Sequence, residues 1–334
     1  MTVIEARRSR PERQGPRAQE PARRATPGKM ARKPQLNLQR APFIGTNKQE
    51  QFKVGARTQE HDAKSLRSRT PLQALPSLLR TNQWYKNLIV YTALIFSGRA
   101  LNIPDIAITT VLFAALCLLS SGYYIINDIH DRRTDATHPR KQARPLAKGT
   151  ISLRVALSIS VLLILASFLL SLTLVRDVRA LLILILVNSI AYTFAMKREP
   201  SLGMHSIAAN FVMKALAGAV ALSAEISPWL IACAFFLVLT LASLKHYADS
   251  RNLAYLNVMR ISTAAAIILY VLYSFTRQHG LFILTIPLVT YPLIRLQFDT
   301  RDVPEHFEDF IRRTPYALSL VAWILSCFAI LYLR

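Results

Sequence analysis

Three cysteines in 334 residues leave no material for a disulfide framework. Cys117, Cys233 and Cys327 each lie inside an apolar run with no ligand-type spacing, and read as small buried hydrophobes. The ten glycines nowhere form a Gly-rich phosphate loop, so no backbone cradle for a nucleotide is spelled out. No Ser/His/Asp spacing of a hydrolase and no short internal repeat occurs. Acidic residues are scarce, 19 against 41 Lys and Arg, for a net charge of +22. The N-terminal quarter lacks the apolar core of 7–15 residues that a signal peptide requires.

Hydrophobic residues make up 52% of the chain and mean hydropathy is +0.28, with the apolar residues segregated into long runs. From Lys86 onward the runs predict about nine spans: 87–101, 105–126, 151–175, 178–196, 203–224, 228–246, 260–276, 280–298 and 315–333. Most approach the ~20 residues that cross about 30 Å of hydrocarbon, and runs such as Val155 to Leu174 carry no charge. The class is therefore all-α and polytopic; a soluble helical protein is excluded. Span 87–101 is short and interrupted by Gly98 and Arg99, so its limits are the least defined. Lys and Arg of the short loops fall fifteen on one side and five on the other, which places the N-terminus, the carboxylates of the 127–135 segment and the 246–259 loop in the cytoplasm.

Residues 1–77 obey a different regime, with 17 Lys and Arg against 6 Asp and Glu and almost no apolar periodicity. This composition predicts a disordered cytoplasmic tail resting on anionic headgroups, and residues 78–334 form the catalytic membrane domain. Basic residues without aromatic interleaving or a folded motif make nucleic acid an unlikely partner.

Charge with catalytic potential concentrates at the cytoplasmic edge. If Tyr123 to Asp135 is helical, Asp128, Asp131 and Asp135 share one face, with Asn127 one turn behind Asp131. Oxygen-only ligands of this kind suit a hard cation such as Mg²⁺ that bridges to a substrate phosphate. Arg140, Lys141 and Arg144 follow directly. Before the first span stands Gln83-Trp84-Tyr85-Lys86-Asn87, where Trp84 and Tyr85 suit an interfacial belt and Lys86 a phosphate or a snorkelling position. Lys214 is a lone cation deep in an apolar run and calls for an anionic partner, a phosphate or the carboxylates of the 127–135 segment. Lys245 and Asp249, one turn apart, either pair with each other or form with Arg251 a second polar wall, Asp249 helping a second metal and Lys245 and Arg251 holding phosphate oxygens.

The 127–135 segment resembles the Asn-Asp-x-x-Asp-x-x-x-Asp signature of the UbiA-type membrane prenyltransferase superfamily. Gln83-Trp84-Tyr85-Lys86-Asn87, His138-Pro139-Arg140-Lys141 with Arg144-Pro145, and Lys245-His246-Tyr247-Ala248-Asp249 resemble its phosphoribose-transferring branch, the decaprenyl-phosphate phosphoribosyltransferases. The similarity runs from about Leu78 to the C-terminus. Two positions depart from it: Lys214 stands where the family usually has Arg, and Asp249 where the branch commonly has Glu. The resemblance implies 5-phosphoribosyl diphosphate as donor, a polyprenyl phosphate as acceptor, Mg²⁺ on Asn127, Asp128, Asp131, Asp135 and Asp249, and a product leading to D-arabinose donors for envelope glycans or an arabinosylated nodulation signal. The alternative within the superfamily is isoprenyl transfer from a prenyl diphosphate to an aromatic acceptor. A transporter is disfavoured, since no second copy of the carboxylate signature occurs.

Overall fold

The computed structural model describes residues 71–139, 141–225, 227–276, 280–299 and 314–333. Among these every element is helical: α1 Pro71–Leu78, a 3-10 segment Thr81–Val90, α2 Tyr91–Phe96, α3 Ile103–Thr137, α4 Leu153–Ser171, α5 Arg176–Phe194, α6 Pro200–Ala221, α7 Pro228–Ser250, α8 Leu253–Thr276, α9 Ile286–Phe298 and α10 Thr314–Tyr332. Among the described residues, eight helical stretches are long and apolar enough to cross a membrane. Exposed Leu162, Leu165, Leu169, Val187, Leu320 and Leu325 suit a surface solvated by lipid. α1 takes up the last residues read as tail, with Ala74 and Leu78 buried; residues 1–70 lie outside the described part.

The first expected span differs from the rest. Instead of one helix over 87–101, the chain makes ten residues of 3-10 helix and then six of α-helix. Among the described residues, neither piece is one of the helices long and apolar enough to cross a membrane. The segment approaches α6 closely: a Cβ on Gly218 would collide with the Val90 carbonyl, so only glycine allows this contact.

Helix α3 is 35 residues, about 52 Å, and so outruns the membrane. Its start is capped by Asn102, whose side chain accepts from the Asp105 N–H, and it stops at His138, extended because Pro139 follows. Polar contacts dock α4 along it: Ser160 and Ser167 donate to the Gly122 and Ala115 carbonyls at 2.8 and 2.7 Å, and a side chain on Gly122 would meet Ile164. At the other end of the bundle, Phe96, Tyr270, Tyr273, Phe282 and Trp323 form an aromatic cluster tied by Trp323 Nε1 donating to Tyr270 Oη at 2.7 Å. The last turns of α3, carrying Asp128, Asp131 and Asp135, therefore stand on a rigid, well-anchored rod.

Candidate active site

Asp128 and Asp135 converge on a single guanidinium. Arg144 Nη1 donates to Asp128 Oδ1 at 3.0 Å and to Asp135 Oδ2 at 2.6 Å, and both carboxylates are buried. Arg80, in the joint between α1 and the 3-10 segment, grips Asp128 from the other side with Nε at 3.2 Å from Oδ2 and Nη2 on Oδ1, while its guanidinium lies 4.9 Å from the Tyr124 ring centre. Asp131 turns toward the α5–α6 turn, where Lys197 Nζ donates to Oδ1 and Asn127 Nδ2 to Oδ2 at 3.1 Å. Thr193 Oγ1 in turn donates to Asn127 Oδ1 at 3.3 Å. The intervening Arg132 and Arg133 border a separate cleft of about 390 Å³ with Lys148, so the acidic and basic positions of these turns are sorted onto different faces.

One helical turn below Asn127, the polar surface continues into the bundle. Tyr123 Oη lies 3.4 Å from the ammonium of Lys214, which donates to Asn87 Oδ1 at 2.9 Å and is only 3% exposed. Asn87 is itself held by Ser120 and Cys117 on α3. Lys214 has no carboxylate among these partners, so the α3 acids do not neutralise it. Trp84 acts as a strut, donating from Nε1 to Ser121 Oγ at 3.0 Å while Ser121 donates to the Leu79 carbonyl. Lys86 donates to Gln83 Oε1 at 3.3 Å and lies 5.8 Å from the Tyr85 ring centre.

The remaining expected residues stand apart. Lys141 is exposed, and Arg140 lies outside the described residues. Lys245, Asp249 and Arg251 are exposed at the α7–α8 junction, and among the described residues no ion pair joins Lys245 to Asp249 or any of the three to the α3 acids. Arg251 closes α7 in the left-handed conformation, 5.6 Å from the Tyr247 ring centre. Asp302, Glu305, Glu308 and Asp309 lie outside the described residues, and Asp299 Oδ2 accepts from Tyr316 Oη at 2.8 Å and from Arg295 Nε at 3.3 Å. Sequence reasoning missed Arg80 and used Lys197 only to orient the chain. Their signal was position: each is a cation at a helix joint beside the signature.

Asp128, Asp131, Asp135 and Asn127 offer the all-oxygen donor set of a hard divalent cation. Among the described residues no three His, Cys, Asp or Glu side chains are gathered around one point: Asp128 and Asp135 converge on Arg144, while Asp131 turns to Lys197. The donors fit such an ion in kind; to hold it, those cations must move aside. An apolar cavity of about 360 Å³, lined by Ile89, Phe96, Ala215, Leu237, Leu293 and Trp323 among others, reaches the aromatic cluster of Phe96 and Trp323.

The family model described as the UbiA prenyltransferase family matches residues 88–255. The chain belongs to this family. A decaprenyl-phosphate phosphoribosyltransferase of Mycolicibacterium smegmatis is 30% identical over 230 residues, which is 63% of this chain and 72% of that protein. One from Corynebacterium glutamicum is 35% identical over 179 residues, 51% of this chain and 53% of the relative, so the match spans about half of its length. Among solved structures, a UbiA homolog from Archaeoglobus fulgidus bound to DMAPP and Mg²⁺ superposes with a TM-score of 0.62 at 18% identity, covering 78% of this chain and 99% of the homolog. That likeness establishes the UbiA fold for this chain, a multi-span membrane protein.

Proposed function

We propose that this UbiA family protein transfers 5-phosphoribose from 5-phosphoribosyl diphosphate to a polyprenyl phosphate at the cytoplasmic face of a bacterial inner membrane. The observation that carries the reading is the pairing of two sites: an acidic cluster interlaced with cations, and, one turn deeper, a buried Lys214 with no anionic partner among the described residues. The first suits a diphosphate-bearing donor, the second the phosphate of a lipid whose tail lies in the apolar cavity. Names of the relatives support the donor and acceptor.

In the reaction the ribose C1–O bond to diphosphate breaks and a phosphate oxygen of the acceptor bonds to C1. The acceptor is already an anion at neutral pH, so no side chain need remove a proton. Asp128, Asp131, Asp135 and Asn127 would hold Mg²⁺, which supplies positive charge for the departing diphosphate. Arg140, Lys141 and Arg144 grip donor phosphates, and Lys86 and Lys214 place the acceptor phosphate. Lys245, Arg251 and Asp249 form the outer wall, engaging once both substrates are bound. Of the small residues of α6, Ala215 lines that cavity, while Ala217, Gly218, Ala219 and Ala221 are buried and let neighbouring helices pack closely. The lipid-linked phosphoribose is a precursor suited to D-arabinose donors for envelope or secreted glycans.

Membranes given labelled 5-phosphoribosyl diphosphate and a polyprenyl phosphate should yield labelled lipid only when both are present. Absence of labelled lipid, with transfer instead of a labelled isoprenyl diphosphate to an aromatic acceptor, would replace this reading by the alternative one.

A further inference from the structure

The acids and cations of the cluster differ in how they are mounted. Asp128, Asp131 and Asp135 stand on one continuous helix, whereas their three cations come from three joints: Arg80 between α1 and the 3-10 segment, Arg144 in the connection between α3 and α4, and Lys197 in the three-residue turn between α5 and α6. Arg80 sits on a left-handed backbone with φ 49°, a conformation that side-chain-bearing residues adopt only when their surroundings demand it. Charge balances, three negative against three positive. Both oxygens of Asp128, both of Asp131 and one of Asp135 accept N–H donors, so the lone pairs that would face a metal are already taken.

The side chains of Asp128 and Asp135 are 4% exposed against 13% and 27% for Arg80 and Arg144, whereas Asp131 at 26% is about as open as its partner Lys197 at 21%. Two of the three anions are thus sequestered on one helix, while all three cations reach in from connections and stay in contact with solvent.

We propose that Arg80, Arg144 and Lys197 are exchangeable counter-cations: they occupy the carboxylates at rest, yield those oxygens to a divalent cation, and are thereby freed to bind the phosphates of the donor. The inference rests on the metal-dependent reading above. It explains why a cluster designed for a cation is filled by side chains, and keeps the site near electroneutral in both conditions, because the released guanidinium and ammonium groups meet the incoming diphosphate. It also makes Arg80 and Lys197 members of the donor site.

The sign of one measurement separates this from a structural network. If the three cations hold the acids in place for the metal, removing one weakens metal binding. If they compete with it, removing one strengthens binding. The full chain purified in detergent is titrated with Mn²⁺, without any sugar donor, and free Mn²⁺ is followed by electron paramagnetic resonance. Arg144→Gln and Lys197→Gln should each bind Mn²⁺ about tenfold more tightly than the wild type, the scale of one charge-assisted hydrogen bond no longer to be broken. Their melting temperatures, lowered in EDTA by the unpaired carboxylates, should recover on adding Mn²⁺. Unchanged or weaker binding in either folded variant, or no saturable binding, overturns the proposal. Should Arg144→Gln fail to fold, Lys197→Gln decides, since Lys197 ties a single, partly exposed carboxylate. Failure here leaves the transfer reaction standing, whereas tightened Mn²⁺ binding with no labelled lipid would sink the reaction and spare the exchange.

Discussion

Replacing Lys214 by methionine should break function without breaking the fold. The ammonium is 3% exposed and bonded to two neutral oxygens, Asn87 Oδ1 at 2.9 Å and Tyr123 Oη at 3.4 Å, with the Phe211 ring centre at 5.6 Å. Burying one ion without a counter-ion costs several kcal/mol. Methionine keeps the length and apolar body, removes that penalty, and leaves Asn87 Oδ1 short of a donor at about 1–3 kcal/mol. The opposing effects are comparable, so the net change is small and tilts toward stabilisation. The melting temperature of the detergent-solubilised variant should hold or rise, at about 2–4 °C per kcal/mol for a chain of this size class. Transfer of labelled phosphoribose should fall by about 10²–10³, the usual effect of deleting one preorganised charge from a site. A drop in melting temperature of more than about 5 °C, equivalent to more than a kcal/mol of lost stability, would show that Lys214 belongs to the scaffold and refute the reasoning. So would wild-type turnover.

Asp131→Asn should lower turnover by orders of magnitude in the same assay; wild-type activity in that variant would refute the metal role of the cluster. Chelation with EDTA should abolish labelled-lipid formation, and excess Mg²⁺ should restore it; turnover that survives exhaustive chelation contradicts the assigned chemistry. Gly218→Ala drives a methyl group into the Val90 carbonyl and should destabilise by about 1–3 kcal/mol, read as a lower melting temperature; an unchanged melt would mean that the two segments separate freely. Trp323→Phe removes the 2.7 Å bond to Tyr270 Oη, which keeps its link to Thr285 at 2.6 Å, so the loss should be about 1 kcal/mol with activity retained; a collapse in activity would place the aromatic cluster in the site.

The spans from α3 onward were readable because uncharged runs of membrane-crossing length admit few alternatives, and the phase of Asp128 and Asp135 followed from the helix continuing unbroken to Thr137. The first span was not readable as built. Its close contact with α6 needs a glycine more than 100 positions away, Gly218, and no local pattern near Val90 signals the 3-10 winding. Asp131 shares the acidic face yet answers to a different cation, because partner choice is set by where the α5–α6 turn brings Lys197. Arg80 was invisible for a similar reason: its role arises from a left-handed backbone that places it over Tyr124, and arginine carries no sequence mark for that conformation. Lys245, Asp249 and Arg251 were legible as a charged cluster, but spacing along α7 could not say that it would stand exposed and apart from the α3 acids.

All three thiols, Cys117, Cys233 and Cys327, are buried and free. A membrane-impermeant maleimide should therefore find little to react with in the native chain, which makes the unaltered protein a ready background for single-cysteine scanning. Probes introduced at Thr137, past the acidic turns, and at Glu225, in the α6–α7 connection, would report from opposite sides of the bilayer and fix the orientation directly.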